Sequence, residues 1–139
     1  MLHLEFTDDG MASLLSCNRR QFAAFVAENG IRRTGIDEPF GLRDVLACVV
    51  ALKVRRWAGG LKDKVGQADP HTTDLVRSAV GLVYRWAWNS DACVLRVSDG
   101  QAWTCCPFQL SDSDWESEPL AIDLHENLEA LEVRLHRGT

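Results

Sequence analysis

The chain lacks most of the patterns that would place it quickly. No apolar run approaches the roughly 18 residues that a membrane-spanning helix requires. The opening, Met1-Leu2-His3-Leu4-Glu5-Phe6-Thr7-Asp8-Asp9, has neither a basic segment nor a long apolar stretch, so no signal peptide and no membrane partner is expected. Its five cysteines, at 17, 48, 93, 105 and 106, are odd in number and form no CxxC pair. That argues against a secreted disulfide scaffold and favours a reducing cytoplasm. His3, His71, His125 and His136 show no metal-ligand spacing, and no P-loop, nucleophile elbow or Ser/His/Asp arrangement is present. Neither an enzyme, a cofactor nor a resident metal is therefore expected. With 4 Pro and 10 Gly in 139 residues, 46% of them hydrophobic and 25% charged, disorder and low-complexity classes are excluded as well.

What is present is divided by charge. Residues 1–66 carry 10 Lys/Arg against 8 Asp/Glu, a net of +2, whereas residues 67–139 carry 5 against 12, a net of −7. The expected organisation follows that division: an N-terminal unit over 1–66 and an accessory region over 67–139. Only the first half offers a case for nucleic acid. The alternating acids Asp112, Asp114, Glu116 and Glu118 read as a solvated loop, with docking of a basic protein partner as the sharper alternative.

Hydrophobic periodicity and turn chemistry give the elements. Thr7 to Leu15 reads as a short capped helix, broken by Ser16-Cys17-Asn18. Asn18 or Ser16 can cap a second helix from Arg19 to about Asn29, with Gly30 as its left-handed stop. Ile31–Gly41 is rich in turn residues and reads as a short hairpin. A third helix, from Leu42 to about Trp57, is nearly all apolar between Val45 and Leu52 and so belongs in the core. After a loop with a short turn at Leu61–Val65, an amphipathic helix runs from Thr72 or Thr73 to Trp88. The pattern then switches to period two. Strands 93–98 and 101–106 flank Asp99-Gly100, a hairpin signal that sets Arg96 opposite Trp103, Val94 opposite Cys105 and Cys93 opposite Cys106. A third strand covers residues 119–124, and Leu124, Leu128, Leu131 and Leu135 mark a C-terminal helix. The predicted fold class is α+β.

Two short helices, a polar turn, a glycine-bearing hairpin and a third apolar helix make a winged helix-turn-helix. In that arrangement the second helix enters the major groove with its first residues over the base edges. Arginine can bind guanine through two parallel hydrogen bonds, and glutamine can do the same for adenine. Asn18, Arg19, Arg20 and Gln21 stand at that position, and the small Ala23 and Ala24 permit close approach. Arg32 and Arg33 in the wing can reach phosphates or the minor groove. Arg43, at the start of the third helix, is a further candidate whose alternative role is that of a structural cap.

The segment Ala12-Ser13-Leu14-Leu15-Ser16-Cys17-Asn18-Arg19-Arg20-Gln21-Phe22, continuing to Glu28-Asn29-Gly30-Ile31, resembles the DNA-binding segment of MerR-type transcriptional regulators. Phe40-Gly41-Leu42-Arg43-Asp44-Val45-Leu46-Ala47 is similar to that family's exit from the wing into its third helix. The resemblance covers about residues 6–57, and phage excisionases and terminase small subunits use the same motif. Where many members carry Arg-Tyr-Tyr-Glu, this chain has Ala23-Ala24-Phe25-Val26. The family's long antiparallel dimer helix has no counterpart here, and its metal-site residues do not carry over.

The resemblance implies a bacterial, cytoplasmic, dimeric regulator that binds double-stranded DNA at a pseudo-palindromic site. The leucine seam of the last helix and the helix from Thr72 are the expected dimer surfaces. A phage or mobile-element excision or packaging protein is the first alternative. A protein-interaction module, antitoxin-like or adaptor, that does not bind DNA is the second. Beyond this constellation, Cys93 facing Cys106 brings two sulfurs within reach of a reversible disulfide or a soft metal, although a small hydrophobic role is the commoner one for cysteine. Arg96 over Trp103 is expected to stiffen the sheet. Trp86, Trp88, Trp103 and Trp115 are core residues or, alternatively, the walls of an effector pocket.

Overall fold

The computed structural model describes residues 5–31, 39–59, 70–86, 93–98, 100–106 and 120–137. Along the chain these form β1 (Glu5–Phe6), α1 (Asp8–Leu14), α2 (Arg19–Asn29), β2 (Phe40–Gly41), α3 (Leu42–Gly59) and α4 (Pro70–Arg85). They continue with β3 (Val94–Ser98), β4 (Gln101–Cys105), β5 (Leu120–Asp123) and α5 (Leu124–Arg137). The protein is α+β, with two small antiparallel sheets. Arg32 and Arg33 of the expected wing, the turn at Leu61–Val65, the acidic stretch 111–118, Trp88 and Trp115 lie outside the described residues.

Local chemistry sets the helix ends. Thr7 accepts the Gly10 N–H on its hydroxyl at 3.1 Å and so caps α1, with Asp8 and Asp9 in the first turn favoured by the helix dipole. The turn into α2 is closed by the Cys17 N–H donating to the Ala12 carbonyl at 3.0 Å. It forces Ser16 to φ 55°, a left-handed conformation that side chains other than glycine rarely adopt. Gly30, at φ 70°, ends α2 as expected, and the Ile31 N–H donates back to the Val26 carbonyl at 3.2 Å.

The first sheet was not legible in the sequence. β1 pairs antiparallel with β2, Glu5 opposite Gly41 and Phe6 opposite Phe40, and so ties the chain before α1 to the entry of α3. Phe40 is buried edge-on against Phe22 of α2, with ring centroids 5.3 Å apart. In the second sheet the expected β3–β4 register holds, Arg96 opposite Trp103 and Val94 opposite Cys105. β5 adds to the other side of β3, Leu95 opposite Ile122, so that β3 is central in the order β4-β3-β5. The four residues Val94 to Val97 are accordingly all buried, a run that a one-sided alternation would not predict.

One hydrophobic core runs from Met11 to Leu135 and joins the two halves separated by charge. Leu46, Ala47, Cys48, Val50, Ala51 and Val54 of α3 lie at its centre, packed on Val76, Ala79, Val80 and Val83 of α4. The leucine seam of α5 is also used here: Leu124, Leu128, Leu131 and Leu135 are all buried within the chain. That corrects the expectation of a free dimer surface, because a 4–3–4 apolar spacing fits an intramolecular face as well as a coiled-coil seam. The stripe of α4 is likewise turned inward. Among the described residues no helix is long and apolar enough to cross a membrane.

Candidate functional site

The candidate site is built on α2. Asn18 caps this helix by accepting the Gln21 N–H on its side-chain oxygen at 2.8 Å, and Gln21 returns its own side-chain oxygen to the Asn18 N–H at 3.0 Å. This reciprocal capping box satisfies two main-chain donors at the helix start. Asn18 was expected as a cap; Gln21 as its partner was missed, although the Asn-x-x-Gln spacing carries the signal. The bond also occupies the amide oxygen that Gln21 would offer to adenine.

Beyond the cap, α2 divides cleanly. Phe22, Phe25 and Asn29 face inward, while Arg19, Arg20, Gln21, Ala23, Ala24 and Ala27 are exposed. The outer face thus consists of two arginines in the first turn followed by a low surface of methyl groups. Arg19 is 69% exposed, and its guanidinium lies 3.8 Å from Asp8 and 4.0 Å from Asp9 of α1. Such pairs at a water-exposed surface are worth little. Arg19 is therefore free to re-aim, at the cost of a modest attraction.

The far end of α2 is held by α4. Arg77 donates from Nε to the Glu28 carbonyl at 2.6 Å and from Nη2 to the Ala27 carbonyl at 3.1 Å, while the Thr73 hydroxyl donates to the Glu28 carboxylate at 3.3 Å. A guanidinium on the last carbonyls of a helix satisfies acceptors that have no intrahelical partner, and it sits at the negative end of the dipole. Nothing in the local sequence around α2 reveals this support, which comes from a residue about fifty positions away.

Arg43 takes a comparable role. Its Nη1 donates to the Tyr84 carbonyl and its Nη2 to the Trp86 carbonyl, both at 3.1 Å, so the guanidinium forks over the end of α4. Its neighbour Asp44 accepts the Gly41 N–H at 2.8 Å and the Tyr84 hydroxyl at 2.5 Å. Arg43 thus joins the start of α3 to the end of α4. Arg19, Arg20 and Gln21 are brought together on one short helix, and Asn18 serves that helix from below.

Elsewhere, burial pushes the Cys48 thiol upward, and negative charge on Asp44 or Cys17 would push it in the same direction. The Cys17 thiol is raised by burial too. Arg55 is buried over the face of Phe25 at 5.8 Å from its ring centre, a cation–π contact inside the core that the sequence did not suggest. Among the described residues, no group of three or more His, Cys, Asp or Glu side chains is placed to hold a metal ion.

Comparison with known proteins returns no match: no family model, no curated protein and no solved structure is similar to the chain at the significance required.

Proposed function

We propose that the chain is a DNA-binding regulator that lays α2 in the major groove of a duplex and acts as a dimer on a pseudo-palindromic site. The observation that carries this reading is the outer face of α2: exposed Arg19 and Arg20 in the first turn, then exposed Ala23, Ala24 and Ala27, on a helix fixed at both ends. Arginine side chains at a helix start reach base edges or phosphates, and alanines behind them keep the helix close to the groove floor. The resemblance of residues 6–57 to MerR-type regulators supports the same reading, with Arg32 and Arg33 supplying backbone contacts from a wing. In this scheme Asn18 and Gln21 orient the helix, and Arg43 braces the frame behind it.

A second reading, a protein-docking module without DNA affinity, is favoured by the acidic neighbours Asp8 and Asp9 beside Arg19, which reduce the positive field of the face.

The test is fluorescence anisotropy with a duplex from upstream of the chain's own coding sequence and a scrambled duplex, at about 50 and 200 mM salt. Tight binding to one duplex, weakened by salt and abolished by Arg19→Ala with Arg20→Ala, is the expected result. Equal weak binding to both would favour the packaging or excision role. The absence of binding by a folded sample would favour docking, and pull-down with α2-face variants as controls would then identify the partner class.

A further inference from the structure

The β3–β4 pair ends with Val94 opposite Cys105, and antiparallel register sets Cys93 against Cys106 one step further on. The Leu124 N–H donates to the Cys93 carbonyl at 2.9 Å, so the main-chain polar groups of Cys93 point towards β5. On the side facing β4, Cys93 therefore occupies a non-hydrogen-bonded position. Facing Cα atoms at such positions are about 4.5 Å apart, with their side chains at closest approach. That separation lies within the range of about 4.4–6.8 Å that disulfides span. Neither cysteine is held in a disulfide, and both are half-buried. Burial pushes the Cys93 thiol up, partly offset by a hydrogen bond donated by the Thr104 hydroxyl, which places Cys93 on the sheet face that Thr104 shares with Cys106. Cys105, adjacent in the chain, belongs to the opposite face. Cys48 is fully buried in α3, out of reach of a dissolved oxidant.

We propose that Cys93 and Cys106 are an oxidative modification site, forming a reversible disulfide that clamps the end of the β3–β4 pair far from Ser98 and Gln101. With hydrogen peroxide as oxidant, one thiolate attacks a peroxide oxygen. An S–O bond forms, the O–O bond breaks, and the departing hydroxide takes up a proton as water. The second sulfur, having lost its proton, attacks the sulfenic sulfur; the S–S bond forms, the S–O bond breaks, and a second water leaves. The two thiols together give up two electrons and two protons. A dithiol such as dithiothreitol reverses the step by exchange and is itself oxidised.

The experiment treats the full chain with equimolar hydrogen peroxide, blocks the remaining thiols with iodoacetamide and maps tryptic peptides by mass spectrometry. Cleavage after Arg96 separates the two sulfurs into different peptides. The expected product is a monomer lighter by two hydrogens, with the Cys93 peptide linked to the Cys106 peptide. Dithiothreitol should undo the link, Cys105→Ser should keep it, and Cys93→Ser or Cys106→Ser should remove it. The oxidised chain should also show a higher Tm than the reduced one. A Cys105–Cys106 link, a disulfide between two chains, or sulfinic acid without any link would overturn the proposal. Should either single variant fail to fold, the wild-type map and the Cys105→Ser map decide the question without it.

Discussion

Arg43→Ala should destabilise the protein substantially while leaving any DNA affinity with its salt dependence intact. The guanidinium donates to the Tyr84 and Trp86 carbonyls at 3.1 Å each, in a half-buried setting at the negative end of α4. A hydrogen bond to a charged group contributes about 1.5–3 kcal/mol, and a cation at a helix C-terminus adds about 0.3–1 kcal/mol. Two bonds from one side chain are not additive, so the expected loss is about 2–3 kcal/mol. At a urea m-value of about 1–3 kcal/mol/M, the unfolding midpoint should fall by roughly 1 M with m unchanged. Arg43→Lys should recover only part of this, because an ammonium cannot span two carbonyls with the fixed fork of arginine. The second arm is the salt slope of DNA binding. Each lost phosphate contact should lower its magnitude by about 0.9, which is expected for the Arg19 and Arg20 variants if they touch phosphate and not for Arg43→Ala. A midpoint unaffected by Arg43→Ala would refute the reasoning, as would a slope reduced to the same extent as for Arg20→Ala.

Four further outcomes follow from other parts of the molecule. Asn18→Ala removes one half of the capping box and should cost about 1 kcal/mol in urea unfolding. Ser16→Gly relieves the left-handed turn between α1 and α2; relief of about 1–2 kcal/mol, offset by about 0.5–1 kcal/mol of added chain entropy, leaves a net gain of up to about 1.5 kcal/mol, readable as a raised Tm. Leu46→Ala opens a cavity at the centre of α3 and should cost about 2–5 kcal/mol. For pH, the folded state holds the Cys48 thiol protonated above its unfolded pKa of about 8.5, so its contribution is fully present below that pH and declines above it. Urea midpoints measured from pH 8 upward should fall, and Cys48→Ala should flatten that fall.

The sequence made the hairpin, the caps and the apolar helix legible because each depends on neighbours within a few positions. The two-residue spacing between Ser98 and Gln101 sets the β3–β4 register, and Gly30 ends α2 by its backbone freedom. β1 and β2 escaped because two residues apiece show no periodicity, and their pairing joins Phe6 to Phe40 across the whole of α1 and α2. The leucines of α5 were legible as an apolar face but not as to what they cover, since spacing is the same for an internal and an intermolecular partner. In the site, the exposure of Arg19 and Arg20 followed from helical periodicity. The roles of Arg43 and Arg77 did not, because their acceptors belong to helices about forty to fifty residues away, and a long flexible side chain gives no sign of where it will bond.

The packing of α3 on α4 also has a consequence for synthesis. The chain emerges N-terminus first, and α3 carries Leu46, Val50 and Val54 towards a surface made largely by Val76, Val80 and Val83. At a ribosomal rate of about 5–20 residues per second, the stretch from the end of α3 to the end of α4 takes roughly 1–5 s to add. During that interval the face of α3 that packs on α4 stays uncovered, and the end of α2 has no Arg77. The N-terminal half is therefore made first, but its core is completed only when the C-terminal half arrives.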